Sequence, residues 1–130
     1  MIYRVAADTV LLLHFGFILL VVAGALLVFR YPAFIWVHLP AAAWGAFIEL
    51  TGRICPLTTL ENAFLVRAGL EGYSMSFVER YLWPLIYPAG LTREMQIWLG
   101  GFVIAINAIL YFLIWLRRRA RAAGAQAGAD

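Results

Sequence analysis

The chain has 130 residues, of which 65% are hydrophobic and 13% charged, and its formal net charge is +3. Soluble domains are nearer half apolar and a quarter charged, so this composition excludes an ordinary soluble protein and indicates a membrane protein. The basic residues are all arginine, and four of them lie together at 117–121. That cluster is typical of a cytoplasmic membrane flank, and in so apolar a chain we expect no nucleic-acid partner.

Three long apolar segments predict membrane-spanning helices at residues 6–29, 31–52 and 92–117. Each reaches the roughly 20 residues that a helix needs to cross the hydrocarbon core. Pro40 lies inside the second segment and predicts a kink there, and Thr92 is expected to cap the third. Residues 120–130 are small and polar, so we expect a disordered cytoplasmic tail behind a single helical membrane domain at 1–119.

The middle of the chain, residues 53–91, contains no uninterrupted apolar run long enough to span. The sequence "TTLE" at 58–61 has the spacing of a capping box, in which Thr58 caps a helix over about 59–68 and Glu61 reaches back. The sequence "SFVE" at 76–79 repeats this spacing and predicts a second short helix that ends at Pro88. The charges within this region favour three spans with two short helices at one membrane interface. The distribution of arginine favours the alternative of four spans.

A polar stripe runs along the second predicted span, where the spacings of 4, 3, 4 and 3 place His38, Ala42, Gly45, Glu49 and Gly52 on one helical face. Ionisable side chains in spans face protein or water, so the stripe is expected to point into the bundle. It can serve as a packing face or as the wall of a polar pocket. His14 and His38 differ in depth by about 9 Å at 1.5 Å per residue, which is too far for one metal, so no metal or cofactor is expected.

Further polar residues collect where the second span ends, and they complete a predicted polar site. The candidate residues are His38, Glu49, Arg53, Cys55, Glu61, Tyr73 and Arg80. In one interpretation these carboxylates and guanidinium groups pair and hold the short helices against the bundle; in the other they line a site open to water. Cys55 precedes a predicted helix N-terminus, a setting that lowers a thiol pKa, but a small packing residue is the other interpretation.

The runs "HLPAAAWGAFIELTGRICPLTTLEN", "SFVERYLWPLIYP" and "GLTR" resemble a family of small bacterial inner-membrane proteins that is catalogued as a domain of unknown function. The resemblance covers about residues 3–116. It implies a multi-helix protein of the bacterial plasma membrane with no assigned activity, cofactor or catalytic residue.

Three functions are compatible with these observations. The first is a non-enzymatic accessory subunit that binds a membrane-protein partner or a second copy of itself within the lipid bilayer. The second is a small-molecule or proton-handling site built on His38, Glu49, Arg53 and Glu61, and the third is a thiol-dependent redox protein that uses Cys55. The absence of any recognised catalytic motif in the sequence favours a protein that is not an enzyme.

Overall fold

A computed structural model describes residues 1–86 and 90–128, and every regular element in these ranges is helical. Helix α1 covers Ile2–Ala23, α2 covers Ala25–Arg30, and a short 3-10 turn at Pro32–Phe34 leads into α3 at Ile35–Thr51. Helix α4 covers Pro56–Arg67, and a π-helical turn at Val78–Leu82 leads into α5 at Trp83–Ile86. The last helix, α6, covers Arg93–Ala127. The predicted all-α fold is therefore confirmed.

Three helical stretches of the described residues are long and apolar enough to cross a membrane: Ile2–Ala23, Pro32–Thr51 and Arg93–Ala127. Helix α4 has only 12 residues, which gives a length of about 18 Å at 1.5 Å per residue. The hydrocarbon core is about 30 Å thick. The chain is thus a membrane protein with three candidate spans and additional short helices. The location of the short helices at a membrane interface stays a prediction.

The core forms where the three spans meet. Helix α3 packs along α6 and α1, while α4 packs against α1. Val21, Ala46 and Val103, one from each span, form a buried apolar cluster. A Cβ added to Gly45 would lie 2.9 Å from a methyl carbon of Val21, so this glycine lets α1 and α3 approach closely. Of the predicted stripe on α3, His38 and Ala42 are buried, whereas Gly52 is exposed.

Hydrogen bonds from two side chains to backbone carbonyls hold the spans together. The Asn107 side-chain amide of α6 donates to the Val21 carbonyl of α1, with a nitrogen–oxygen distance of 2.9 Å. The Arg93 guanidinium donates to the Glu49 carbonyl of α3 at 2.8 Å and also to the Leu50 carbonyl. These bonds join α6 to both of its neighbouring spans.

The predicted capping box at 58–61 is wrong. Helix α4 begins three residues earlier, with Cys55 as the N-cap and Pro56 in the first turn, a position for which the fixed φ of proline is suited. Thr58 and Glu61 consequently lie inside the helix and are buried. The predicted end is confirmed, because α4 ends at Arg67 and Gly69 has a positive φ of 76°.

The second predicted short helix is present, but its first turn differs from the prediction. The Ser76 hydroxyl accepts a hydrogen bond from the Glu79 backbone N–H at 3.2 Å, as the capping spacing predicts. The helix then begins as a π-helical turn rather than an α-helix. Its predicted end at Pro88 lies outside the described residues.

Two features of α6 differ from a simple reading of its sequence. The small residues Gly101, Ala105 and Ala108 have the spacing of a close-packing helical face, but all three are exposed in this chain, and the neighbouring Gly100 packs against Leu50 instead. The helix also continues through Ala127, so the described part of the polar tail is helical. The disorder expected for residues 120–130 in solution stays a prediction.

Candidate functional site

A buried carboxylate lies at the centre of the polar residues between α4 and the segment that follows it. Glu61 is only 2% exposed. Its two carboxylate oxygens accept hydrogen bonds from the Tyr73 hydroxyl at 2.7 Å and from the Tyr81 hydroxyl at 2.9 Å. We call Glu61, Tyr73 and Tyr81 the carboxylate cluster. Because buried polar groups are costly unless they are hydrogen-bonded, these two bonds are what allow Glu61 to face the interior.

Arg80 lies beside the carboxylate cluster but forms no direct bond with the Glu61 carboxylate. Its guanidinium carbon lies 4.4 Å from the ring centroid of Tyr73 and 5.5 Å from that of Tyr81, distances typical of cation–π contacts. Burial, reinforced by the neighbouring carboxylate of Glu61, raises the pKa of Tyr73 well above its ordinary value. Burial also raises the pKa of Tyr81, although Arg80 opposes that shift. Both phenols therefore remain hydrogen-bond donors at neutral pH.

A second pair of bonds fixes the same segment to α4. The Asn62 side chain donates to the Tyr73 carbonyl at 2.7 Å and accepts from the Tyr73 backbone N–H at 2.9 Å. Neighbouring side chains of one helix, Glu61 and Asn62, thus hold both the backbone and the hydroxyl of Tyr73. The segment at 73–82 is attached to α4 at its start through Tyr73 and near its end through Tyr81.

That attached segment covers a cavity in the centre of the bundle. The cavity has a volume of about 220 Å³ and is lined on three sides by α1, α3 and α6 and on the fourth by Ser76, Phe77, Val78 and Leu82. Phe77 is 3% exposed, and its ring lies 4.2 Å from the ring of His14. The spans contribute apolar and aromatic side chains to most of the remaining wall: Phe17, Ile18, Val21, Val22, Ile48, Leu99, Phe102 and Val103.

A few polar or reactive groups interrupt this apolar wall, namely His14, Glu49, Cys55 and Ser76. The Nδ1 atom of His14 and the Oε2 atom of Glu49 are buried without a hydrogen-bond partner in the described part of the chain. Cys55 is a buried free thiol. A mostly apolar cavity with a small number of polar groups is the usual form of a small-molecule site.

The structure distributes the seven predicted site residues over four places. Glu61, Tyr73 and Arg80 come together around the carboxylate cluster, while Glu49 and Cys55 line the cavity. His38 is fully buried elsewhere on α3, where its Nδ1 atom lies 2.7 Å from the Tyr111 hydroxyl. It precedes Glu49 by eleven residues, or about 16 Å along a helix. Arg53 is exposed, with its guanidinium 5.8 Å from the Phe47 ring centroid.

Sequence reasoning did not find Tyr81, Phe77 and Tyr111, and it did not place His14 in the candidate site. The rings of Tyr81 and Phe77 pack together at 5.0 Å, and their spacing of four residues was an available signal. Nothing in the sequence connected Tyr111 to His38, which is 73 residues away. Among the residues that the structure describes, no group of three histidine, cysteine, aspartate or glutamate side chains could hold a metal ion.

Comparison with known proteins gives one match. A family model described as "Protein of Unknown function (DUF2784)" matches residues 4–112, which include the cavity and the carboxylate cluster. No curated protein and no solved structure matches the chain.

Proposed function

We propose a function for this chain, which belongs to the DUF2784 family of proteins of unknown function: it is an integral membrane protein that binds a small, lipid-soluble molecule. The site is the cavity lined by α1, α3, α6 and the segment at 76–82. The observation that carries the proposal is the combination of an apolar cavity with polar atoms in its wall that have no hydrogen-bond partner among the described residues.

The size of the cavity is suitable for a ligand of about one ring. Engineered apolar cavities of about 150 Å³ bind benzene, and this cavity of about 220 Å³ is larger. A ligand that binds the folded chain and not the unfolded chain stabilises the folded state by mass action, so an occupant of the cavity would stabilise the folded bundle.

The position of the cavity supports a ligand that arrives from the bilayer. Ile18 and Val22 on α1 and Leu99 on α6 line the cavity and are only half-buried, and Phe102 is exposed. All four residues belong to candidate spans. The rim of the cavity is therefore apolar and lies on helices that lipid would surround, so a hydrophobic molecule could enter without crossing water.

Native mass spectrometry of the protein, extracted gently from its own membrane, tests this proposal. We expect wild-type protein to carry a small-molecule adduct and Val22→Trp protein to lack it, because Val22 lines the cavity. Leu19→Trp is the matched control, since Leu19 lies on the same helix and is exposed. Equal occupancy in wild type and Val22→Trp, or the absence of an adduct from wild type even after incubation with membrane lipid extract, contradicts the proposal.

A second candidate function is that of an accessory subunit that binds another membrane protein or a second copy. The exposed face formed by Gly101, Ala105 and Ala108 favours it, because small residues on a span permit close approach of a second helix. Ala105→Trp should then abolish crosslinked complexes in the native membrane, whereas Leu113→Trp, at an exposed position on another side of α6, should retain them. Identical crosslinking patterns in the two variants would exclude this face.

The other two functions considered from the sequence receive less support. A single proton-handling site would need His38, Glu49, Arg53 and Glu61 to act together, whereas they lie in separate places. A redox role for Cys55 would require a second protein, because a single cysteine has no resolving thiol within its own chain.

For location, we propose the plasma membrane of a bacterium, as the resemblance of the sequence to a bacterial inner-membrane family implies. We also propose that the C-terminus lies in the cytoplasm, on the basis of the arginine cluster at 117–121. A reporter fused after residue 128 that is active only on the cytoplasmic side tests this orientation.

A further inference from the structure

The polar atoms in the wall of the cavity restrict the chemistry of its occupant. His14 is 4% exposed, and its Nδ1 atom has no hydrogen-bond partner in the described residues, as is also true of the Oε2 atom of Glu49. Both side chains line the cavity. An unpaired buried polar atom costs about 1–3 kcal/mol relative to a hydrogen-bonded one. A ligand that carries a hydrogen-bond donor would remove part of this cost, whereas a purely apolar ligand would not.

A neutral donor suits this cavity better than a cation does. Transfer of an ammonium group into apolar surroundings has a large desolvation cost, which a single carboxylate repays only with good geometry and further hydrogen bonds. The Arg93 guanidinium already lies beside the end of α3, where it donates to the Glu49 carbonyl at 2.8 Å. A second positive charge would be repelled there. A hydroxyl group avoids both costs, and it can donate to the carboxylate or exchange a hydrogen bond with the imidazole.

The rest of the wall favours an aromatic ligand. Phe17, Phe77 and Phe102 line the cavity together with the His14 ring. Aromatic rings pack favourably against one another in offset or edge-to-face arrangements, and the cavity volume of about 220 Å³ exceeds the roughly 150 Å³ that accommodates benzene. The space is therefore sufficient for one substituted ring, with any aliphatic tail directed toward the apolar rim.

We infer that the cavity selects a lipid-soluble aromatic alcohol, whose ring lies among the phenylalanine side chains and whose hydroxyl bonds with Glu49 and His14. The inference rests on the proposed function and adds the ligand class. It concerns binding alone, so no bond in the ligand is made or broken.

Cys55 provides a direct way to test this inference, because it is the only cysteine in the chain and lines the cavity. The full-length protein in lipid nanodiscs is treated with a small membrane-permeable maleimide, and the labelling rate is followed by intact mass. The probes are 4-decylphenol and 4-decylanisole. The anisole is the methyl ether of the phenol, so it lacks the hydroxyl donor. We expect 4-decylphenol to protect Cys55 at concentrations at least tenfold lower than 4-decylanisole.

The variants assign this preference to particular side chains. Glu49→Gln and His14→Phe should each reduce the preference for the phenol several-fold while leaving protection by the anisole nearly unchanged. Glu71→Gln is the matched control, because Glu71 is exposed, and it should behave as wild type. Circular dichroism melting of each variant shows that the fold is retained.

The possible results distinguish failure of this inference from failure of the proposed function. Equal protection by the two compounds, lost in Val22→Trp, overturns the hydroxyl requirement while the cavity remains a binding site. A preference that persists in both Glu49→Gln and His14→Phe overturns the assignment to these residues. Protection by neither compound overturns the aromatic-alcohol class, and the native mass measurement then decides independently whether the cavity binds anything.

Discussion

The carboxylate cluster allows a quantitative test of how the segment at 73–82 is held against α4. In Tyr73→Phe, the hydroxyl that donates to Glu61 at 2.7 Å is lost, and in Tyr81→Phe the donor at 2.9 Å is lost. Hydrogen bonds to a charged group contribute about 1.5–3 kcal/mol each. We therefore expect each single substitution to lower the free energy of unfolding by this amount.

The double variant should be destabilised by more than the sum of the two single variants. After one substitution, Glu61 still accepts a bond from the remaining tyrosine. After both, a carboxylate that is 2% exposed has lost both hydroxyl donors, and burying an unpaired carboxylate is far more costly than burying a paired one. Residues that share one hydrogen-bond network commonly show coupling free energies of about 0.5–3 kcal/mol.

Reversible unfolding in mixed micelles of increasing SDS content, followed by tryptophan fluorescence, measures these free energies. Limited proteolysis between residues 68 and 76 reports locally on release of the segment and should accelerate in parallel. Tyr31→Phe is the control, because Tyr31 is 60% exposed. If Tyr73→Phe and Tyr81→Phe are no more destabilising than Tyr31→Phe, Glu61 does not hold this segment and the reasoning is refuted.

Three further predictions concern the packing and titration of the bundle. Asn107→Leu should reduce the free energy of unfolding by about 1–3 kcal/mol, measured in the same micelles, because the bond to the Val21 carbonyl is lost; an unchanged value would show that this bond is not stabilising. Gly45→Ala should be about 1–3 kcal/mol less stable than Gly16→Ala, since an added Cβ meets Val21 at 2.9 Å in the first case and nothing within 4 Å in the second; equal stabilities would contradict the close approach of α1 and α3. The pKa of Tyr73 is raised in the folded state, whereas in the unfolded chain it is about 10. Above that pH, the unfolded chain has released the Tyr73 proton while the folded protein still keeps it. The free energy of unfolding is thus retained below about pH 10 and should fall as the pH rises further. Tyr73→Phe should show a smaller fall in unfolding experiments, and an equal fall in wild type and variant would refute this assignment.

The sequence was sufficient to predict the spans because their signal is contained in contiguous residues. Apolar length alone identifies three segments, and the arrangement of Gly45 and Glu49 on one face follows from helical periodicity. The predicted bounds at 52 and about 68 also agree with the structure, where Gly52 and Gly69 have positive φ, since glycine at such positions avoids a steric cost. These are local properties, and local properties can be predicted from a single sequence.

The candidate site could be predicted only in part because its geometry depends on contacts between distant residues. Thr58 and Glu61 have the spacing of a capping box, but Pro56 competes for the first turn and moves the helix start. Glu61 then faces two tyrosines, 12 and 20 residues later in the chain. The cavity requires the joint placement of three spans and one covering segment, and no residue pattern encodes an empty volume.

The hydrogen bonds that join the spans all have acceptors of the same kind. Asn107 donates to the main-chain carbonyl of Val21, and Arg93 donates to the main-chain carbonyls of Glu49 and Leu50. Every amino acid supplies such a carbonyl, so these bonds do not depend on the side chains of the accepting residues. They do depend on the donor side chains of Asn107 and Arg93. Among related chains, we expect the two donor positions to vary little, without a matched change at the accepting positions. Statistical coupling between positions would therefore miss the contacts that align these helices.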